Sequence, residues 1–494
     1  MKSKGRLKSQ ERKVFELLNK AIISNPFDAA RSEILKQILD TLQVKIDRHP
    51  VLFDDVYTEI KSIIKNLEQR GLKRIKDFSK EDSQLMERAF LFNVFHLNIP
   101  EFDSLIRKQQ ELGTTPADVP FAKKVLSQME SYGVSREKSL HYFALSYQLR
   151  RAFYFIHLSL VGDSPSMKKL RLALWNNVFT YDIQAYDETL WDRMEDFATI
   201  LEGETGTGKG TAAAAVGRSA FIPFDPKKNQ FVRNFTETFI AINLSQFPES
   251  LIESELFGHR KGAFTGAVDN HIGLFERCSK HGALFLDEIG DINMATQIKL
   301  LQVIQDRIFE PVVSHTHKRF AGRVIAATNR PIIELRRQGK FRDDFFYRLC
   351  SDVITVPTLR QRIEENPSEL DQMVNLLVTR MTGKEKNHRT DMILETLKRD
   401  LPAGYPWPGN VRELEQAVRS ILLKRHYYGD AMVTDTDPED KFAQGFYMGT
   451  LEAKELLKQY CSILYKRYGT YEEVARRANL DPRTVKKYLN DNAK

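Results

Sequence analysis

The chain has 494 residues, of which 42% are hydrophobic and 28% are charged, and its formal net charge is +8. At about 150 residues per domain, this length predicts about three domains. No apolar stretch approaches the ~20 residues that span a bilayer, and none follows the basic residues 1–6, so we expect a cytoplasmic protein without a membrane segment. Cys278, Cys350 and Cys461 are isolated and offer neither metal-ligand spacing nor a disulfide framework. The positive charge permits nucleic-acid binding without demonstrating it.

Residues 1–155 are predicted to form a helical N-terminal domain. Apolar positions recur at helical spacing in residues 14–22, 34–46, 56–67, 85–95 and 140–158. Because strands do not alternate with helices around an acidic pocket, the pattern argues against a phosphorylated receiver domain. Three roles stay open: these helices bind a ligand, bind a regulatory protein, or contact only the rest of the chain. The aromatic residues crowded into 168–200 favour helix packing over a ligand-binding box.

A glycine-rich loop follows the apolar run 198–201. Residues 203–209 read Gly-Glu-Thr-Gly-Thr-Gly-Lys and precede a strong helix former at 211–216. This order of strand, loop and helix is typical of a phosphate-binding loop, whose backbone N–H groups and helix N-terminus attract phosphate oxygens. Lys209 is then expected to reach the β and γ phosphates. Gly210 stands where a Ser or Thr hydroxyl usually meets magnesium, and Thr211 follows one residue later.

Residues 262–267 read Gly-Ala-Phe-Thr-Gly-Ala and follow a basic pair. An aromatic side chain and a hydroxyl between two flexible glycines predict an exposed loop tip that contacts a partner. The alternative is a turn in which the glycines supply positive φ and Phe264 packs into the core.

The apolar run 282–286 predicts a buried parallel strand that ends in two acids. A carboxylate at such a strand end can hold a nucleotide's magnesium through water, and its neighbour can orient the attacking water. We therefore assign Asp287 to the metal and Glu288 to catalysis. A second buried run, 323–328, ends at Asn329, which is placed to reach the γ-phosphate.

Two arginines lie among aromatic residues at 341–348. Arg342 and Arg348 are six residues apart, and their guanidinium groups can stabilise transition-state charge within one chain or across a subunit boundary. The alternative is a solvated arginine pair. Farther on, residues 407–415 open a helix after a Pro-Gly turn, with Arg412 close to its start.

The C-terminal residues 451–494 predict a helix-turn-helix after a polar linker at 429–450. Helices are expected at 451–468, 471–478 and 482–489, with Asp481 capping the last and Pro482 at its first position. Val485 and Leu489 are expected to face inward. The side chains available to base edges and phosphates are Arg483, Thr484, Lys486 and Lys487. The alternative is a helical hairpin with a solvated basic face.

In this order, these motifs closely resemble the sigma-54-dependent bacterial enhancer-binding proteins, which are AAA+ ATPases. The resemblance covers about residues 158–425, and residues 451–494 resemble the Fis-type domain that ends this family. It implies a multidomain fold: a helical N-terminal domain, an α/β P-loop AAA+ domain at 158–428 with a helical lid after about 357, and an all-α helix-turn-helix. It also implies ATP and Mg2+ as cofactors. The implied partners are sigma-54 RNA polymerase holoenzyme, double-stranded enhancer DNA at the nucleoid, and further copies of the chain as a dimer or hexameric ring.

The resemblance also implies roles for individual residues. Glu288 acts in catalysis with Asn243, which restrains it, and with Arg342 and Arg348, which act on a neighbour's nucleotide. Nucleotide binding falls to Gly203, Glu204, Thr205, Gly206, Thr207, Gly208, Lys209, Gly210, Thr211, Asn329 in the first sensor and Arg412 in the second. Asp287 holds magnesium. The residues implied to contact sigma-54 are Gly262, Ala263, Phe264, Thr265, Gly266 and Ala267.

Two functions follow from these expectations. In the first, the chain binds upstream DNA, assembles a ring and uses ATP hydrolysis to drive the 262–267 loop against sigma-54. In the second, the nucleotide site only controls assembly of a DNA-binding regulator that does not remodel sigma-54. The intact loop beside a complete hydrolytic set favours the first.

Overall fold

The structure, a computed structural model, describes residues 5–45, 52–264, 266–383, 388–429 and 451–490. The chain divides into two compact units, one ending at Arg425 and one beginning at His426, and each is described by itself. None of the helices in the described ranges is long and apolar enough to cross a membrane. The three cysteines are free thiols.

The first unit begins with a bundle of helices. Their bounds are α1 Ser9–Ile23, α2 Ala29–Thr41, α3 Phe53–Gln69, α4 Lys80–Leu97, α5 Ile99–Leu112, α6 Ala122–Ser131, α7 Arg136–Ser159 and α8 Pro165–Phe179. The predicted helices at 14–22, 56–67, 85–95 and 140–158 are confirmed. The expectation of a helix at 34–46 is wrong in its bounds: the Asp28 side chain caps the chain at Ala29, and Gln43 adopts a left-handed φ of 59° that ends the helix.

An α/β core follows the bundle. Its strands are β1 Thr199–Glu202, β2 Phe224–Asp225, β3 Gln230–Phe231, β4 Phe239–Asn243, β5 Ala283–Asp287, β6 Ile308–Phe309, β7 Lys318–Arg319, β8 Arg323–Thr328 and β9 Asp352–Thr355. Its helices are α9 Ile183–Ala185, α10 Lys209–Gly217, α11 Glu249–Phe257, α12 Leu274–Arg277, α13 Met294–Asp306, α14 Ile332–Arg337 and α15 Asp343–Leu349.

Within the described residues, the main sheet is parallel and has the order β4-β5-β8-β1-β9. Residues of β5 and β8 are buried on both faces, as expected for apolar strands covered by helices on each side. Asn243 on β4 lies beside Asp287 on β5, and Glu202 on β1 lies beside Thr328 on β8. The carboxyl ends of the strands therefore bring their following loops to one edge of the sheet.

A helical lid completes the first unit. It consists of α16 Leu359–Glu365, α17 Ser368–Thr382, α18 His388–Asp400 and α19 Asn410–Lys424. The second unit contains α20 Ala453–Tyr468, α21 Tyr471–Ala478 and α22 Pro482–Asn490, close to the predicted bounds. Its small buried core consists of Cys461, Leu464, Val474, Ala475 and Val485. The expected linker lies almost wholly in 430–450, outside the described residues.

The N-terminal helices share a hydrophobic core with one face of the sheet. The expected domain boundary near residues 155–158 lies inside α7, so the helix runs across it. Arg151 of α7 is fully buried and donates hydrogen bonds to the carbonyls of Arg218 (2.7 Å) and Ala220 (2.6 Å), just after α10. Its guanidinium also lies 4.6 Å from the ring centroid of Tyr147. These contacts fasten the bundle to the end of α10.

Replacing Arg151 with alanine is expected to destabilise the first unit. Arg151→Ala leaves two buried carbonyls without these donors and opens a cavity, at a cost of about 1–3 kcal/mol. Thermal unfolding of the full chain measures the effect as a lower midpoint. The matched control is Arg107→Ala, because Arg107 is an exposed arginine of α5. Equal midpoints for the two variants would show that Arg151 does not fasten the bundle.

Candidate functional site

A tight glycine loop joins β1 to α10. Gly206 and Gly208 adopt positive φ values of 80° and 102°, which a side chain would strain. The Thr207 hydroxyl donates to the Glu204 carbonyl (2.9 Å) and closes the loop. The first turn of α10 leaves backbone N–H groups without helical acceptors at the end of the helix that favours negative charge. The loop is therefore a preformed anion cradle.

Lys209 is buried at the start of α10. Its ammonium donates to the carbonyls of Gly203 (2.8 Å) and Glu204 (3.2 Å), so the side chain folds back over the loop. Burial lowers the pKa of Lys209, and the nearby carboxylates of Glu288 and Asp287 oppose that shift. The loop therefore holds its positive charge beside the two acids at the end of β5.

The two acids occupy different backbone conformations. Asp287 is the last residue of β5, and its carboxylate accepts from the backbone N–H of Glu288 (3.1 Å). Glu288 has a φ of 56°, a left-handed conformation that non-glycine residues rarely adopt. Burial raises the pKa of both carboxyl groups, and Lys209 opposes the shift in each. Strain and a raised pKa together mark Glu288 as a candidate functional group.

Asn329 connects the acids to the loop. Its backbone N–H donates to Oε2 of Glu288 (3.2 Å), and its side-chain amide donates to the hydroxyl of Thr205 (3.0 Å). The residue therefore lies between the end of β5 and the phosphate-binding loop, and its contact with the γ-phosphate stays a prediction.

The lid closes directly onto the loop. The Asn410 amide donates to Glu204 Oε2 and to the Thr205 carbonyl, both at 3.1 Å, and the Val411 N–H donates to the Gly206 carbonyl (3.0 Å). These contacts of Asn410 with the loop were not predicted from the sequence. Asn410 directly follows the Pro-Gly turn and has a positive φ of 53°.

Arg360 was also missed. It pairs with Glu204, with Nη1 and Oε2 3.0 Å apart, and this interaction lowers the pKa of the carboxyl group. The side chain of Glu204 thus joins loop to lid. Arg412 lies in the first turn of α19, close enough to Lys209 and Asp287 to lower the pKa of each.

Three residues assigned to catalysis have other partners in this structure. Arg342 makes a bidentate ion pair with Asp344 (2.9 and 2.7 Å), and Arg348 donates to the Gln305 carbonyl (3.4 Å). The Asn243 oxygen accepts from the backbone N–H (3.0 Å) and hydroxyl (2.7 Å) of Ser245. Among the described residues, no hydrogen bond joins these side chains to Glu288. Their catalytic roles stay predictions.

The 262–267 loop projects from a short backbone ladder between His259 and His271. Gly262 N–H donates to the Ala267 carbonyl (2.9 Å), and Ala267 N–H donates to the Phe264 carbonyl (3.0 Å). Phe264 is 38% exposed, with its ring centroid 5.0 Å from that of His259. The alternative that Phe264 packs into the core is therefore wrong.

The two glycines of the 262–267 loop adopt positive φ angles. Gly262 and Gly266 have φ values of 82° and 104°, while Ala263 lies between Gly262 and Phe264. Thr265 lies outside the described residues.

The last helix of the second unit presents a basic face. Arg483, Lys486 and Lys487 are exposed, Thr484 is half-buried, and Val485 is buried as predicted. Asp481 caps the start of α22 by accepting from the Arg483 N–H (2.8 Å).

Comparisons with known proteins agree with this geometry. Residues 184–355 match the family model of the Sigma-54 interaction domain. The similarity to that domain therefore covers the strands and loops of the candidate site. The resemblance to sigma-54-dependent enhancer-binding activators is thereby confirmed, and sigma-54 interaction domains are a family of AAA+ ATPases.

The similarity to individual relatives covers more residues than the match to the family model. The chain is 36% identical over 287 residues to the DNA-binding transcriptional regulator NtrC of Azospirillum brasilense, covering 57% of this chain and 52% of that protein. It is 35% identical over 276 residues to the regulatory protein AtoC of Escherichia coli K12, covering 54% and 55%. The chain therefore spans about half the length of these relatives. A crystal structure of NtrX from Brucella abortus with ADP has 19% identity and a TM-score of 0.41, over 76% of this chain and 81% of that one.

Gly206→Ala is expected to weaken nucleotide binding about tenfold or more, because a Cβ would collide with the Gly409 carbonyl and the positive φ would be strained. A fluorescent ATP analogue measures the affinity. Ser104→Ala is the control, since Ser104 is exposed on α5 and more than 90 residues from the loop in sequence. Its affinity should stay within about twofold of wild type. Equal affinities for both variants would contradict the proposed fit of the lid to the loop.

Proposed function

We propose that this protein is a sigma-54-dependent transcriptional activator. It binds upstream enhancer DNA and assembles into a ring. ATP hydrolysis then drives the 262–267 loop against sigma-54 RNA polymerase holoenzyme and converts closed promoter complexes into open ones. The observation that carries the proposal is an exposed Phe264 in the same domain as a phosphate cradle with two acids beside it.

The cradle fits a nucleoside triphosphate with magnesium. The backbone N–H groups of residues 205–211 and the ammonium of Lys209 supply positive charge for phosphate oxygens. Asp287 is the carboxylate that would hold Mg2+, and the bound ion would neutralise charge on the phosphates. Thr211 is exposed at the start of α10, and Gly210 brings no oxygen ligand.

Glu288 is the general base or water-orienting group. Its raised pKa moves the carboxylate closer to the basicity useful near neutral pH, and Asn329 fixes one of its oxygens. Asn329 also contacts Thr205 of the loop, so a change at the phosphates reaches Glu288 through one residue.

Motion passes from this edge to the output loop along the chain itself. Asn243 ends β4 beside Asp287, the chain then turns at Ser245, and α11 leads directly to His259 at the base of the loop. If Asn243 exchanges its bond with Ser245 for one with Glu288, the start of α11 is displaced. The loop at the far end of α11 moves with it.

In a ring, Arg342 and Arg348 of one copy supply positive charge to the nucleotide of the neighbouring copy. Arg342 and Arg348 lie at the two ends of α15, and their present partners are an exposed aspartate and a backbone carbonyl. Such contacts are weak enough to be exchanged for a phosphate on a neighbouring copy. In the second unit, the basic face of α22 is the recognition element for DNA, used by a dimer on paired half-sites.

Glu288→Gln is expected to reduce ATP hydrolysis about 100-fold or more, because the amide cannot accept a proton. Its oxygen can still accept from the Asn329 N–H, so nucleotide binding should persist. Phosphate release and binding of a fluorescent ATP analogue are measured on the same preparation. The control is Glu334→Gln, a change at an exposed glutamate of α14. If Glu288→Gln hydrolyses ATP at more than half the wild-type rate, Glu288 is not the catalytic residue.

Phe264→Ala is expected to lower promoter opening about tenfold or more, because an exposed aromatic anchor at the loop tip is lost. ATP hydrolysis should stay within about twofold of wild type. Open complexes are counted with sigma-54 polymerase on a supercoiled template carrying the enhancer. Tyr181→Ala is the control, since Tyr181 is 88% exposed and lies away from the loop in sequence. Wild-type opening by Phe264→Ala would favour the second function, a DNA-binding regulator that does not remodel sigma-54.

A further inference from the structure

A large cavity lies in the N-terminal bundle, away from the phosphate loop. Its volume is about 990 Å3, and its walls come from α1 to α4, α7, α8 and the segment after α8. Much of the lining is aromatic: Phe27, Phe53, Phe92, Phe95, Tyr142, Phe153 and Trp175. A cavity of this size with apolar walls and a few polar groups has the character of a small-molecule site.

One cation in this cavity lacks a polar partner. The side chain of Arg31 in α2 makes no hydrogen bond or ion pair with any residue that the structure describes, and its guanidinium lies 3.9 Å from the ring centroid of Phe53. Burial lowers the pKa of Arg31 to about 9, so the side chain stays charged at neutral pH. A partly buried guanidinium without an anion is costly, and its five donors suit a carboxylate.

The other basic groups around the cavity have a polar partner or are exposed. Arg150 makes a bidentate ion pair with Asp103 (2.6 and 2.7 Å), Lys138 lies 3.5 Å from Glu87, and His141 contacts Asp187 at 2.6 Å. Arg88 donates to Gln184, Arg171 donates to the Leu160 carbonyl, and Lys168 is exposed.

His96 lies next to Arg31 and adds no charge. Burial, reinforced by the charges of Arg31 and Arg150, lowers the pKa of His96 to about 3. Its Nδ1 donates to the Phe92 carbonyl (3.1 Å), and its ring contacts those of Phe53 and Phe92. The neutral imidazole therefore extends the aromatic wall beside the guanidinium.

We propose that this cavity binds a small organic acid, with its carboxylate on Arg31 and its apolar or aromatic body against the aromatic side chains. A carboxylate carries the single negative charge that one unbalanced guanidinium can neutralise. The carboxylates of Asp28, Glu87 and Asp187 also line the cavity and disfavour an anion of higher charge, such as a phosphate monoester.

The cavity also touches the ATPase domain. Its wall residues Arg171 and Trp175 belong to α8, which packs against α10, the helix of the phosphate loop. If the proposed function holds, an organic acid bound here is the signal that adjusts hydrolysis. The binding site itself does not depend on that function, because binding is measured directly.

The test is calorimetric titration of the full chain with phenylacetate, 4-phenylbutyrate, octanoate and dodecanoate. Each acid is paired with its alcohol of the same carbon skeleton. At least one acid should bind, and its alcohol should bind about tenfold more weakly because it offers no charge to Arg31. Arg31→Met should reduce the affinity for that acid to the level of the alcohol, while Arg31→Lys should keep part of the preference.

The matched control is Arg107→Met, which changes an exposed arginine outside the cavity and should bind the acid like wild type. Thermal unfolding confirms that each variant is folded. The proposal is overturned if none of the four acids binds, if acid and alcohol bind equally, or if folded Arg31→Met binds the acid like wild type. If the wild-type protein binds the acid but opens no promoter, the proposed function is contradicted and the binding site is not.

Discussion

The site depends on the parallel register of its sheet. Because all strands run in the same direction, Asn243, Asp287 and Asn329 and the loop after β1 meet at one edge. Two partly buried acids at that edge are costly by themselves, as their raised pKa values indicate. Lys209 offsets part of that cost, and its own charge is favoured by theirs. The register thus places opposite charges together before any ligand arrives.

The second constraint is the close approach of the lid to the loop. A side chain on Gly206 would collide with the carbonyl of Gly409. Asn410 donates to the Thr205 carbonyl of the loop, and Arg360 pairs with the Glu204 carboxylate. The same edge is therefore covered from above by α16 and α19. Glu204 of the loop thus contacts Arg360 and Asn410 of the lid, which are 156 and 206 residues away in sequence.

Local patterns predicted much of this protein. The glycine loop, the runs that became β5 and β8, and the cap of α22 each depend on a few neighbouring residues, and the structure has them where expected. The end of α2 was predicted wrongly, because apolar spacing does not reveal where Gln43 adopts a left-handed φ. α5 and α6 were missed, although Phe102, Leu105 and Ile106 have helical spacing.

Long-range contacts could not be predicted in this way. Arg360 and Asn410 meet Glu204 only through the fold, and Arg31 is recognised as unbalanced only when the residues around the cavity are known. The roles proposed for Asn243, Arg342 and Arg348 would require a nucleotide or a neighbouring subunit, and the structure contains neither. For these residues the family resemblance remains the basis of the prediction.

The central claim is that ATP hydrolysis at this site drives promoter opening. The most direct measurement is permanganate reactivity of the promoter after mixing wild-type protein, sigma-54 polymerase and supercoiled enhancer template with either ATP or a non-hydrolysable analogue. The predicted result is melted promoter DNA in the mixture with ATP and none in the mixture with the analogue. Measurable ATP hydrolysis without melting, or equal melting with the analogue, would contradict the claim.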